Sequence, residues 1–505
     1  MDSRSRLPTR RACIRWQRAC IGSGRRRASW GSRRSLGLLH SCHEPSTVLR
    51  ERPYIYRKGL SSAGDGGRSD VLHAGYETTP SVGRHTRNAT EGLAGAGTMQ
   101  LRRSGSFRHC VPPVVPLMIS MLPRTMSAVG EREMTKAQNR AVPVVDEGGT
   151  PPAAGTAVCL SGGGYRAMTF HVGALWRMHE LGVLSSVDRV SSVSGGSITA
   201  AVLAMAWTDL EEGGSFADLV AEPVLKLAAR TIDRGAIIGG ALLPGTISQW
   251  VADVYDEALF GGATLQSLPD RPRFVINATN LETGTLWRFS KPYMRDWRVG
   301  SIERPKLRLA DAVAASSAFP PVLSPYVLDV SPSDFDLVEP GLGDEFRQDV
   351  SLTDGGVYDN LGLETAWKRC RTLLVSDGGG VAGDDPSPPS DWAQQAKRVL
   401  DVVDGQVRAL RKRQLIQAYR DGSRDGCYWG MRTDPADYGV PMTLACPPAA
   451  CASLAALPTR LKRMPDELTR RVVNWGYAIT DAALRAHVVT DARPAERFPF
   501  PSEAI

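Results

Sequence analysis

Ser194 lies in the run Val190-Ser191-Ser192-Val193-Ser194-Gly195-Gly196-Ser197, and Asp354 opens Asp354-Gly355-Gly356. A third small-residue run, Ser161-Gly162-Gly163-Gly164-Tyr165-Arg166, precedes both. These pieces supply a nucleophile, a base and a stretch of backbone able to bind an oxyanion. A serine at a sharp strand-to-helix turn exposes its Oγ and leaves its neighbours' N–H groups free at the helix N-terminus. Consecutive glycines let backbone N–H groups converge on one point, which suits an oxyanion or a pyrophosphate. A buried carboxylate beside the serine can take the hydroxyl proton if desolvation raises its pKa. No histidine occurs between Ser194 and Asp354, so the order differs from a serine–histidine–aspartate arrangement.

Each piece has a plainer reading. Serines cap helices, Asp-Gly is common in turns, and Ser192 stands where an elbow usually has glycine. Asp377-Gly378-Gly379-Gly380 is a rival for Asp354. Asp354 is preferred because Val357-Tyr358-Asp359-Asn360-Leu361-Gly362 continues into a helix rather than a proline-rich loop. Arg166 is a candidate for anionic substrate groups or a surface ion pair. Gly162-x-Gly164-x-x-Ala167 also fits a loose dinucleotide fingerprint. It has no Gly-Lys-Ser/Thr of a phosphate-binding loop. A triad Ser194–Asp354–His487 is formally available, His487 being one of three histidines (with His171 and His179) in 151–505. An esterase of that kind and a non-catalytic dinucleotide-binding module are the alternatives to the dyad.

Apolar patterning predicts the elements that position these groups. Short strands are expected at 156–160, 188–193, 348–353 and 371–376, the first two each followed by a helix, at 166–181 and 195–206. That order predicts an α/β domain with a mostly parallel sheet. A hairpin is expected from 273–279 and 285–289, and an Ala-rich helix at 307–317 is stopped by Phe319-Pro320-Pro321. The glycine-containing apolar stretch 235–246, within 210–270, reads as a lid or a packed loop. Beyond 385 long helices are expected at 392–420 and 466–487.

Charge divides the chain. Residues 1–150 carry 25 Lys+Arg against 11 Asp+Glu, and residues 151–505 carry 36 against 42. The basic character therefore sits outside the part that holds the motifs, which speaks against nucleic acid as a partner. Three readings of 1–150 stand together: a transit or other targeting segment, a basic arm, or sequence upstream of a start at Met99, Met118, Met121, Met126 or Met134. In each it is expected to be disordered. No apolar run has the length of a membrane span. The nine cysteines form no CxxC pattern, as in a reduced, cytosolic-type enzyme. The basic helix around 408–413 either meets anionic lipid at a membrane surface or is a solvated face.

Taken together the motifs resemble the patatin-like phospholipase family. Gly162-Gly163-Gly164-Tyr165-Arg166 resembles its oxyanion loop and Ser192-Val193-Ser194-Gly195-Gly196 its nucleophile elbow. Asp354-Gly355-Gly356-Val357-Tyr358-Asp359-Asn360 resembles its Asp-Gly-Gly block, and Ala314-Ala315-Ser316-Ser317-Ala318-Phe319-Pro320-Pro321 its Ala-Ser-rich block. The resemblance covers roughly 156–380. Arg411-Lys412-Arg413-Gln414-Leu415-Ile416 and Asn474-Trp475-Gly476-Tyr477 look like bacterial members with a helical extension. It implies a three-layer α/β/α catalytic domain over 151–385 and a helical extension over 386–505. It further implies hydrolysis of phospholipids or other acyl-ester lipids by a Ser194–Asp354 dyad, with oxyanion support from Gly162, Gly163 and Gly164. No metal or cofactor is implied, and the expected location is cytoplasmic or peripheral to a membrane.

Overall fold

The structure, a computed structural model, describes residues 152–232, 247–380 and 383–505. The expectations for 1–150 and for the apolar stretch 235–246 lie outside these residues.

Eleven strands form one sheet among the described residues. They are β1 (Ala153–Leu160), β2 (Arg189–Val193), β3 (Arg273–Asn280), β4 (Thr285–Phe289), β5 (Tyr293–Asp296), β6 (Gly300–Glu303), β7 (Tyr326–Leu328), β8 (Leu337–Val338), β9 (Val350–Asp354), β10 (Cys370–Asp377) and β11 (Asp425–Gly430). The order is β11-β10-β1-β2-β3-β4-β5-β6-β8, with β9 also on β3 and β7 on β9. From β11 to β3 every pairing is parallel. From β3 onward every pairing is antiparallel. The sheet is therefore mixed rather than mostly parallel: the short connections from β3 through β6 can make only hairpins, while parallel pairing needs a crossover.

The helices used below are α1 (Gly164–Glu180), α2 (Gly195–Met205), α3 (Glu222–Ala228), α4 (Ile247–Tyr255), α5 (Leu309–Ser316), α6 (Gly356–Asp359), α7 (Glu364–Trp367), α8 (Trp392–Arg420) and α9 (Asp466–His487). Strand alternation sends side chains to two cores. On β1, Val158 and Leu160 enter the main core with α1 to α5 and α9. Ala157 and Cys159 enter a smaller core with Leu363 and Ala366 of the α7 region and Leu415 of α8. Helices thus cover both faces, giving the three-layer α/β/α arrangement. Val224 and Leu227 of α3, and Val251 and Tyr255 of α4, are buried in the main core, so both ends of the 210–270 segment are packed.

The part beyond 385 is more than a helical appendage. β11 extends the parallel sheet, and α9 crosses α1 where glycine allows backbones to meet. A Cβ on Gly173 would lie 1.9 Å from Val473 O, and one on Gly476 would lie 2.0 Å from Phe170 O. The buried Arg177–Asp481 pair, at 2.7 Å, ties the same two helices. A boundary near 385 therefore cuts through one packed structure, because the sheet and the main core both continue across it.

Candidate active site

Ser194 sits between β2 and α2 with φ 52° and ψ −122°. A non-glycine residue held there costs roughly 1–3 kcal/mol and needs its surroundings to enforce it. The enforcement is visible. Ser194 N–H donates to Ser316 Oγ at 3.0 Å, and Ser316 Oγ donates to Asn277 O at 2.6 Å. Asn277 Nδ2 in turn donates to Ser192 O at 2.9 Å. The N-terminus of α2 abuts the glycine loop backbone to backbone. A Cβ on Gly195 would lie 2.2 Å from Gly164 O, and one on Gly196 would lie 2.5 Å from Leu160 O. That proximity is the physical reason for small residues after the serine.

Ser192, at the position where glycine is usual, fits because its hydroxyl is used internally. It accepts from Ser197 Oγ at 3.0 Å and donates to Val275 O at 3.5 Å. Ser316 was present in the Ala-Ser-rich block but carried no expected role. Only the return of α5 to the elbow gives it one.

Asp354 ends β9, is 2 % exposed, and its carboxylate lies near enough to the Ser194 hydroxyl for that group to act on its pKa. Burial pushes its pKa up to about 7, against the lowering effect of the Gly356 N–H and the Ser194 hydroxyl; Asp404 of α8 adds a nearby negative charge. The Gly356 N–H bond measures 2.7 Å. At neutral pH such a carboxylate is divided between a form that accepts a proton and one that has it.

Asp377, the rival, ends β10 in the opposite electrostatic state. Its carboxylate accepts from Tyr428 OH at 2.8 Å and Gly379 N–H at 2.9 Å. Burial raises its pKa, but Arg408 and Lys412 outweigh that and hold it below the usual carboxylate value.

The three glycines divide. Gly162 N–H donates to Asn360 O at 3.0 Å, so that amide is already engaged within the protein. Gly163 and Gly164 have φ of 145° and 59°, the left-handed side open to glycine. Among the described residues their N–H groups have no hydrogen-bond acceptor. A Cβ on Gly162 would lie 2.4 Å from Asn360 Oδ1 and 3.2 Å from Ser194 Cβ, which places the loop against the serine. The loop is buttressed by His171. Its Nε2 lies 2.9 Å from Ser161 O and its Nδ1 2.9 Å from Ser376 Oγ. A carbonyl can only accept, so Nε2 carries the proton and Nδ1 accepts from the serine. Burial lowers the His171 pKa to about 4, which keeps the ring neutral.

Two expectations are corrected. Arg166 is 2 % exposed, and its guanidinium donates to Gly378 O at 3.1 Å, to Leu457 O and to Thr459 Oγ1 at 3.0 Å. It joins the glycine loop to the β10 turn and the C-terminal part, so it is neither a surface ion pair nor an open side chain. His487, exposed at the end of α9, packs its ring edge-on to Tyr438 with centroids 6.0 Å apart. The groups that act on the Asp354 carboxylate are the Gly356 N–H and the Ser194 hydroxyl instead.

Residues 158–367 match the family model described as patatin-like phospholipase, so the chain carries a domain of that type. No curated protein matches the sequence at a significant level. Among solved structures, human GIVD cytosolic phospholipase A2 is 15% identical with a TM-score of 0.38, over 72% of this chain and 64% of that one. The protein VipD of Legionella pneumophila is 16% identical with a TM-score of 0.29, over 66% of this chain and 67% of the other. This chain thus spans less than two thirds of the length of the human phospholipase.

Proposed function

We propose that the protein hydrolyses carboxylic ester bonds of membrane lipids, of the phospholipase A or lysophospholipase type, through a Ser194–Asp354 dyad. The observation that carries this reading is the proximity of a strained, elbow-held serine to a buried carboxylate whose pKa burial lifts to about 7. Asp354 takes the Ser194 proton as Oγ attacks the ester carbonyl. The oxyanion is met by the Gly163 and Gly164 N–H groups, Gly162 serving to shape the loop. Asp354 returns the proton to the leaving alcohol, leaving an acyl-serine. Water, deprotonated by Asp354, then releases the fatty acid and restores the serine.

The assay is a panel of phospholipids, lysophospholipids and neutral glycerides on the full chain. Ser194→Ala should reduce turnover by at least about 10³-fold, with the fold unchanged by circular dichroism. His487→Ala should leave turnover within about twofold. A silent His487 variant beside an active Ser194 variant would replace the dyad by another nucleophile.

Contact with a membrane surface belongs to the same reading, but through a different surface than the basic run suggests. Arg408 donates to Gly380 O, Arg411 to Glu364 Oε2 at 3.1 Å, and Lys412 lies 4.4 Å from the Tyr428 ring centroid. These cations face inward. The opposite side of α8 bears Trp392, Val399, Val403 and Leu410, recurring at helical spacing over about 27 Å. All four are exposed, Trp392 by 83%. A bilayer surface suits such a stripe, and the other side of the helix brings Asp404 into electrostatic range of Asp354. Among the described residues no helix is long and apolar enough to cross a membrane. Trp392→Glu with Val403→Glu should weaken sedimentation with phosphatidylcholine vesicles by about tenfold or more and spare hydrolysis of a soluble short-chain ester. Unchanged sedimentation would remove α8 as the docking surface.

A further inference from the structure

Around the point where the sheet changes from parallel to antiparallel it carries arginines that the proposed chemistry does not use. On β2 to β5 the alternation sends Val190, Phe274, Ile276, Trp287, Phe289 and Met294 into the main core. It turns Arg189, Arg273, Arg288, Tyr293 and Arg295 to the other face. Register sets Arg189 opposite Arg273 and Arg288 opposite Arg295. Like charges directly across strands repel, so each pair calls for a compensating anion; Arg288 itself lies opposite Asn277, four residues along β3 from Arg273.

The chain supplies little of one. Glu339 pairs with Arg295 at 2.6 Å. Glu303, opposite Tyr293 in register, accepts from Ser301 Oγ at 3.1 Å. Asp296 projects into the other face, where Asn280, Thr283 and Thr285 hold its oxygens. Among the described residues no carboxylate lies within ion-pair distance of Arg189, Arg273, Arg288 or Arg369. Arg189 and Arg288 both feel the charge of Arg369, so this exposed side chain completes the group. The Nε atoms of Arg288 and Arg295 are buried donors without an acceptor. At the start of β3 lies a cavity of about 390 Å³ that has Arg273 as a wall and adds Arg271, Lys291 and Arg304 against one acid, Asp270.

We propose that Arg189, Arg273, Arg288 and Arg369, with the adjoining cavity, form a binding site for a ligand bearing phosphate groups. The planar guanidinium fork matches a phosphate, and several forks on neighbouring strands match a ligand with more than one. The site lies on the sheet itself, beyond α6 and α7, and its binding does not depend on the dyad. The shared chemistry fits a free polyphosphorylated molecule or the same group on a lipid.

The test is calorimetric titration of the full chain with inositol trisphosphate and with inorganic phosphate. Vesicles of phosphatidylcholine, with and without a phosphorylated inositol lipid, form the second arm. We expect the trisphosphate to bind at least about tenfold more tightly than inorganic phosphate. Arg273→Glu with Arg288→Glu should lose that preference, and Arg369→Glu, altering only an exposed side chain, should weaken it severalfold without a folding penalty. Arg413→Glu on α8 is the charge control, and Ser194→Ala should bind as the native chain does. Vesicle binding competed by the trisphosphate identifies a lipid-borne group; trisphosphate binding without vesicle binding identifies a free one. Absence of binding in both arms overturns the proposal, as does an Arg413→Glu loss equal to that of Arg369→Glu.

Discussion

Two Asp-Gly-Gly turns end two strands of one sheet, and their carboxylates behave oppositely. Asp354 sits among apolar and backbone groups with a serine hydroxyl and one N–H, and its pKa rises to about 7. Asp377 sits beside Arg408, Lys412 and the Tyr428 hydroxyl, and its pKa falls. Both are buried, so burial alone does not make a base. What separates them is whether a long helix delivers cations. α8 turns Arg408 and Lys412 toward Asp377, while the group it brings into range of Asp354 is the carboxylate Asp404.

The largest effect that tests this contrast is on turnover. Asp354→Asn should lower kcat by at least about 10³-fold, whereas Asp377→Asn should keep it within about tenfold. Equal losses in the two variants would erase the distinction.

Stability should then move in opposite directions. Asp354 has its pKa raised above the unfolded value near 4, so the folded state favours the protonated form. Stability is lost as pH climbs from about 4 through 7, by on the order of 4 kcal/mol at the upper end. Asp354→Asn should accordingly raise the midpoint of denaturation at pH 8 and leave it nearly unchanged at pH 4. Asp377, with its pKa lowered, stabilises above the unfolded value and loses that contribution as pH falls through its folded pKa. Asp377→Asn strands two cations and should cost about 3 kcal/mol at pH 8. Chemical denaturation of both variants at the two pH values reads this crossing directly.

A smaller effect lies in the pH profile. Because Asp354 must be ionised to accept the serine proton, kcat/KM should rise about tenfold per pH unit below about 7 and level off above it. A profile flat from pH 5 to 8 would mean that another group, or no titrating base, is in use. Smallest is Tyr428→Phe, which removes one hydrogen bond from Asp377. It should cost about 1 kcal/mol of stability with turnover unchanged.

Much of the site was legible without coordinates. The order glycine loop, elbow serine, Ala-Ser block and Asp-Gly-Gly is carried by residue types that local geometry demands. Only small residues allow the α2 terminus to rest on the glycine loop, and apolar alternation marks the strands that end at the serine and the aspartates. Helix periodicity likewise placed 392–420 and 466–487. Less legible was anything set by pairing across long sequence separation. Parallel and antiparallel strands share one local pattern, so the mixed sheet and the entry of β11 did not show. A basic run does not reveal which way it faces, and so Arg166, Arg408, Arg411 and Lys412 read as surface until packing turned them inward.

The sequence by itself determined which groups exist to do chemistry and the turns that hold them, because backbone sterics and side-chain size act locally. Tertiary structure decided which carboxylate meets Ser194, which amides of the glycine loop stay free, and where uncompensated arginines gather. Those depend on desolvation and on charges brought together from distant segments, and both are fixed only when the sheet and α8 are assembled.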